Sequence, residues 1–213
     1  MILESEAIWF AQTNAYLLAP EPGGVAVLVD APPDPVPVAG WLKKHDLTLG
    51  ALLVTHGHLD HVGGAWTVVS QTDATAYVHP DDDFLTLAPD EQLRQMLGMV
   101  VDGEFGPPPN LVPLADGQKL TVGGMTFSVL HTPGHTPGHC CFLLDAEGML
   151  FSGDQLFAGS IGRTDFPYGS HDLLMASMQD KILPLADELI VLPGHGPRTT
   201  LGHERRTNPF LTS

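Results

Sequence analysis

The chain has 213 residues, 43% hydrophobic and 16% charged, a balance that suits a folded globular protein and excludes a disordered one. Lys and Arg number 9 against 25 Asp and Glu, a formal charge of −16, so the surface repels phosphate backbones and nucleic acid is excluded as a partner. Apolar runs such as residues 51–54 are far too short to span a bilayer, so no membrane partner is expected. In chain order, residues 6–12 and 15–19 read as short strands, followed by a strand over 25–30. The proline-rich run 32–37 opens a helix through Trp41 to about His45, since proline is tolerated near a helix start. Residues 49–55 form a buried strand, 62–70 a helix and 75–79 a further strand. Residues 81–99 read as mostly helical, with Asp90 capping the stretch 91–99. Residues 104–113, with Pro107, Pro108 and Pro109 in series, are expected to form a surface loop. Strands follow at 125–130, 140–144 and 149–151, then a helix over 172–181, a strand over 189–192 and a short helix near His203. Early strands, alternating elements and late strands predict two mixed sheets packed face to face with helices outside. No linker divides residues 1–213, so a single domain is expected.

The start, from Met1 to Glu6, has no basic stretch leading into an apolar one, so no signal peptide is expected. Cys140 and Cys141 are adjacent and therefore poor disulfide partners, which points to a reducing compartment, the cytoplasm.

The chain's 11 histidines carry the chemistry. Thr55-His56-Gly57-His58-Leu59-Asp60-His61 stands where a buried strand ends and a helix begins, where sheets with helical connections carry ligand-binding groups. At strand-like spacing His56 and His58 point the same way, so one metal can take both imidazoles. Asp60 and His61, on the turn into the helix, can face a second ion. His135 lies in His131-Thr132-Pro133-Gly134-His135-Thr136-Pro137-Gly138-His139, Asp154 follows Phe151-Ser152-Gly153, and His195 lies in Leu192-Pro193-Gly194-His195-Gly196. Each follows a strand beside Gly or Pro, where the backbone can turn a side chain into a common pocket. Five imidazoles and two carboxylates suit two divalent ions, zinc first, with iron and manganese compatible. Asp30, ending an apolar strand, either orients a ligand histidine or caps the following loop. His139 is either an outer hydrogen-bond partner or a plain strand residue, and His45, His79, His131, His171 and His203 read as structural.

With these motifs the sequence resembles the metallo-β-lactamase superfamily and, within it, the glyoxalase II-like hydrolases. The resemblance runs from Thr13-Asn14-Ala15-Tyr16-Leu17 to Glu204-Arg205-Arg206-Thr207-Asn208-Pro209-Phe210. It implies a four-layer αββα sandwich with the metals at one edge. One ion would be held by His56, His58 and His135, the other by Asp60, His61 and His195, with Asp154 bridging. Two divalent ions outweigh Asp60, Asp154 and a bridging hydroxide, so the centre stays positive and stabilises a developing oxyanion. The expected chemistry is attack of that hydroxide on an acyl carbonyl, with Asp60 and Asp154 as the catalytic carboxylates. Asp154 and the lack of a cysteine ligand set the chain apart from true β-lactamases, where one zinc usually has a thiolate ligand. Gly159-Ser160-Ile161-Gly162-Arg163-Thr164-Asp165 marks, among the relatives, a short single-domain bacterial group. Phe157, Ile161 and Arg163 are expected to border the pocket, Arg163 pairing with an anionic substrate or with Asp165. The implied activity is a thioesterase acting on a small molecule, S-2-hydroxyacylglutathione or a related acyl thioester. Its rivals are a mononuclear-iron persulfide dioxygenase, which shares the Arg-Thr-Asp segment, and a lactonase or other small-ester hydrolase.

Overall fold

Strands that are apolar on both faces must be covered on both, and that requirement sets the layering. The computed structural model describes residues 1–98 and 105–212. One mixed sheet contains β1 (Ile2–Ile8), β2 (Thr13–Ala19), β3 (Val25–Val29), β4 (Thr48–Leu53), β5 (Thr75–Val78) and β6 (Leu111–Pro113), in that order across it. Its first pairings are antiparallel, and those from β3 to β6 are parallel. The second sheet takes β7 (Lys119–Val122), β8 (Met125–His131), β9 (Cys140–Leu144) and β10 (Met149–Gly153). A separate small hairpin, β11 (Leu156–Phe157) and β12 (Ser160–Ile161), precedes its last members, β13 (Ile190–Pro193) and β14 (Thr199–Thr200). The spatial order is β14-β13-β10-β9-β8-β7, with β10 and β13 parallel. The helices are α1 (Val36–His45), α2 (Leu59–Val62), α3 (Ala65–Thr72), α4 (Asp83–Thr86), α5 (Pro89–Leu97), α6 (His171–Ser177) and α7 (Leu201–Thr207).

Alternation along the strands sorts the core into three sets. Ala15, Leu17 and Ala19 of β2 face outward to Val38 and Trp41 of α1 and Val68 and Val69 of α3. Tyr16 and Leu18, on the opposite face, join Leu53, Phe127, Phe142 and Phe151 between the sheets. Leu150 and Val191 face the other way, against Leu174 of α6, Met178, Ile182 and Leu201 of α7. The result is the expected αββα sandwich. Phe127, Phe142 and Phe151 are fully buried, and truncating any of them to Ala costs about 3–5 kcal/mol.

Several boundaries differ from expectation for local reasons. The first strand ends at Ile8, because Trp9 and Gln12 take left-handed φ of 65° and 56° and turn the chain. The helix expected over 62–70 is broken into α2 and α3 at Gly63 and Gly64. A Cβ on Gly64 would lie 2.2 Å from the Pro32 carbonyl oxygen, so the glycine admits the proline-rich segment. Pro89 occupies the first turn of α5, and the cap is Ala88, not Asp90. The expected loop over 104–113 contributes Leu111–Pro113 as edge strand β6, where a proline is tolerated. The helix expected to reach Met99 and the loop expected from Glu104 extend into residues 99–104, which lie outside the described residues. After α6 the chain continues as a π-helical turn, Met178–Ile182. Among the described residues, no helix is long and apolar enough to cross a membrane.

Candidate metal centre

The first sheet supplies His56, His58, Asp60 and His61, on the segment that leaves β4 and enters α2. The second supplies His135 from the β8–β9 loop, Asp154 just past β10 and His195 just past β13. The two sheets are stapled together at this edge. Asn14 N–H donates to the Gly194 carbonyl (2.8 Å), and Asn14 Nδ2 and Tyr16 Oη both donate to the Pro193 carbonyl (2.9 and 2.7 Å). Gly194 is there for space: a Cβ would lie 2.3 Å from Asp154 Oδ1 and 2.7 Å from His61 Cε1.

Outer hydrogen bonds fix which ring nitrogen faces inward. His135 Nδ1 donates to the Arg163 carbonyl oxygen at 2.7 Å, so its Nε2 is bare in the neutral ring. Thr55 Oγ1 donates to Asp30 Oδ2 (2.9 Å) and so receives the proton of His56 Nδ1 (3.0 Å), leaving His56 Nε2 bare. His61 Nδ1 donates to the same Asp30 oxygen at 2.8 Å. Asp30 thus orients His61 directly and His56 through Thr55, the first of the two roles open to it. His56 Nε2, His58 Nδ1 and His135 Nε2 then face one another at 2.9 to 3.2 Å. Three lone pairs at that separation repel unless a cation or proton lies among them, so this donor set fits a metal ion.

A second group lies alongside. His195 Nε2 and His61 Nε2 are 3.3 and 3.5 Å from Asp60 Oδ2, which also accepts from Thr13 Oγ1 at 2.8 Å. Asp154 sits between the groups, with Oδ1 3.4 Å from His61 Nε2 and Oδ2 3.4 Å from His135 Nε2 and 3.6 Å from His195 Nε2. Its Oδ1 is buried without a hydrogen-bond partner, an acceptor aimed at a cation's place. His139 is no part of either group. It is fully buried, its Nε2 accepts from Asp154 N–H at 3.0 Å and its Nδ1 contacts Thr132 Oγ1 at 2.8 Å, so it holds the Asp154 backbone. His79, Asp81 and His131 also approach one another. The two rings stack at 3.9 Å and 9°, so their in-plane lone pairs run in separate planes and do not converge on an ion.

Burial, reinforced by neighbouring imidazoles, pushes His56, His58 and His139 well below the ordinary histidine value. Burial opposes charge on His61 too, but Asp60, Asp30 and Asp154 outweigh it and push the ring up to about 10. For Asp60, burial works against ionisation, yet His61 and the bonds from His195 and Thr13 hold it well below the usual carboxylate range. A field that holds a proton on His61 holds a divalent cation more strongly. In the metal-free chain, the three lowered histidines contribute stability above about pH 6.5 that is lost as pH falls. His61 acts oppositely: its contribution is complete below about pH 6.5 and is lost as pH rises through about 10. Urea midpoints of the chelated chain are therefore expected to peak between these limbs, and a midpoint unchanged from about pH 7 to about pH 5 contradicts the assignment.

The cluster forms the floor of a cavity of about 570 Å³, whose walls are Trp9, Phe10, Phe166, Tyr168 and Arg163. Arg163 reaches this wall but is already engaged. Its guanidinium makes two 2.6 Å bonds to Asp165 and lies 4.5 Å over the Phe166 ring. Phe157 and Ile161, expected to border the pocket, do not line it. Ile161 is 8% exposed and packs in the outer core of the second sheet, and Phe157 sets its ring 6.0 Å from His195. In the β11–β12 hairpin Leu156 pairs with Ile161 and Phe157 with Ser160, so Phe157 and Ile161 lie on opposite faces, and neither is among the residues that line the cavity.

Other contributors went unread in the sequence. Asp82, fully buried, accepts from Gly57 N–H (2.8 Å), Thr136 Oγ1 (2.7 Å) and Gly138 N–H (2.6 Å), clamping the two loops that carry His56, His58 and His135. Tyr168, whose burial pushes its hydroxyl up to about 12, contacts His58. An aspartate in the run Asp81-Asp82-Asp83 carries no spacing signal that separates it from its neighbours.

The chain belongs to the metallo-β-lactamase superfamily: the model of that superfamily matches residues 8–195. It is accordingly a metallo-hydrolase by fold and donor set. The hydroxyacylglutathione hydrolase GloC of Haemophilus influenzae is 38% identical over 207 residues, 97% of this chain and 91% of that protein. Among solved structures, the BLEG-1 B3 metallo-β-lactamase superposes with a TM-score of 0.89 at 38% identity, over 100% of both chains. TTHA1623, solved in a di-iron-bound form, superposes with a TM-score of 0.85 at 39% identity, over 99% of this chain and 100% of its own.

Proposed function

We propose that the chain is a binuclear metal-dependent thioesterase of the glyoxalase II type, hydrolysing S-2-hydroxyacylglutathione or a related acyl thioester. The observation that carries this reading is the convergence of bare nitrogens and the unpartnered Asp154 oxygen on the floor of an aromatic-walled cavity. His56, His58 and His135 would hold one ion and Asp60, His61 and His195 the other, with Asp154 shared. Zinc suits these donors, and likeness to a protein solved with two irons makes iron the main competitor. Such ions, when bound, supply polarisation of an acyl carbonyl and a water whose pKa is lowered to about 7.

The protein's own side chains do the remainder. Asp30, Thr55 and the Arg163 carbonyl keep the ligating nitrogens bare and directed inward. Asp60 and Asp154 leave the site less positive than two divalent ions alone, yet still able to attract a developing oxyanion. Trp9, Phe10, Phe166 and Tyr168 exclude water and offer ring faces to the substrate. Overall, water adds to the acyl carbon, the carbon–sulfur bond breaks and the thiolate leaves with a proton. Thiolate is a better leaving group than alkoxide, which favours thioesters over esters.

Likeness to GloC supports the thioester. Likeness to a B3 metallo-β-lactamase removes the ground for excluding β-lactams drawn from the missing cysteine ligand. The test is a panel of acylglutathione thioesters, lactones, a β-lactam and glutathione persulfide, run at full metal loading with oxygen uptake monitored. Thioester hydrolysis is expected at kcat/KM of about 10⁴ M⁻¹s⁻¹ or more. No turnover of any thioester overturns the reading, as does oxygen consumption with the persulfide by a one-iron protein.

A further inference from the structure

His61 and His56 hand their outer ring nitrogens to Asp30 and Thr55, which are 2% and 1% exposed, and His135 hands its own to a main-chain carbonyl. His58 is held differently. Its outer Nε2 lies 2.8 Å from the phenolic oxygen of Tyr168, which comes from the loop before α6 and lines the cavity. The Tyr168 ring is fixed independently of that bond, stacked on Phe166 (5.7 Å, 15°) and edge-on to Phe84 (5.2 Å, 70°).

The inward nitrogen of His58 is Nδ1, 2.9 Å from both His56 Nε2 and His135 Nε2. For Nδ1 to be bare in a neutral ring, the proton must sit on Nε2 and be donated to the Tyr168 oxygen. Without that acceptor the Nε2–H loses its partner, and the other tautomer, with its proton aimed into the nitrogen cluster, gains population. We propose that Tyr168 is a positioning residue that fixes the ligating tautomer of His58 and so tunes the His56–His58–His135 half of the metal centre alone. The other half receives its outer support elsewhere, from Thr13 to Asp60 and Asp30 to His61. This rests on the two-ion reading above.

The test is a cobalt(II) titration of the metal-free full chain, followed by calorimetry and visible absorption, with Tyr168→Phe and Thr13→Val beside wild type. Tyr168→Phe keeps the ring stack and removes only the hydroxyl, so the thermal midpoints of the metal-free forms should differ by no more than about 2–4 °C, the cost of one hydrogen bond. One of two binding steps should weaken about tenfold in Tyr168→Phe, with a changed cobalt spectrum for that step only. Thr13→Val should weaken the other step. A Tyr168→Phe titration that superimposes on wild type, an equal loss in both steps, or both variants weakening the same step overturns the proposal while leaving the two-ion reading intact. Uptake of a single ion by wild type overturns both.

Discussion

Asp154→Ala is expected to lower kcat/KM at least about a thousandfold, equivalent to about 4 kcal/mol of transition-state stabilisation. It should also deplete both metal positions together. The reason is geometric. The two oxygens of this carboxylate face His61 on one side (3.4 Å) and His135 and His195 on the other (3.4 and 3.6 Å), and one is buried with no protein partner. Removing it takes a negative charge from between the two proposed cation positions. His135→Ala is the comparison. Its inward nitrogen meets His56 and His58, so its loss should empty one position and largely spare the other. Metal content and activity of the two variants, measured side by side, decide the matter. Equal, mild effects contradict a shared Asp154.

Chelation is expected to abolish activity and to lower the melting temperature by about 10 °C. A ligand present at a thousandfold its dissociation constant stabilises a folded chain by about 4 kcal/mol, and each kcal/mol shifts the midpoint of a chain this size by about 2–4 °C. The melting shift is expected because the ligands come from both sheets: Asp60 and His61 follow β4, and His195 follows β13. Ions there tie together a sandwich edge that the Asn14 and Tyr16 bonds to the 193–194 backbone already staple. Adding back zinc or iron should restore both properties. Activity retained after exhaustive chelation contradicts the metal-dependent reading.

The histidines and aspartates of the cluster were legible from two signals: the dense His56-Gly57-His58-Leu59-Asp60-His61 motif after β4, and the placing of His135, Asp154 and His195 after strands beside Gly or Pro, a pattern that follows from how a sheet delivers side chains to its edge. The layering was legible for a related reason: strands buried on both faces read as continuous apolar runs. The cavity walls were not. Trp9 read as part of a strand, and only the left-handed turn at Trp9 and Gln12 brings it and Phe10 to the cavity over the histidine and aspartate cluster. Phe157 and Ile161 stand three and seven residues after Asp154, but the hairpin sets them on opposite faces, Ile161 joins the outer core, and neither lines the cavity. Asp82 and Tyr168 act on partners 25 to 110 residues away, and no local periodicity records such a contact. Strand β6 was hidden by Pro113 and the proline run just before it, since edge pairing tolerates what a central strand does not.

The most direct measurement is elemental analysis of freshly purified protein, paired with activity on the same sample. The histidine and aspartate groups gathered here predict two divalent ions per chain, with activity rising in step with occupancy. Full thioesterase activity in a sample holding one ion or none contradicts the account.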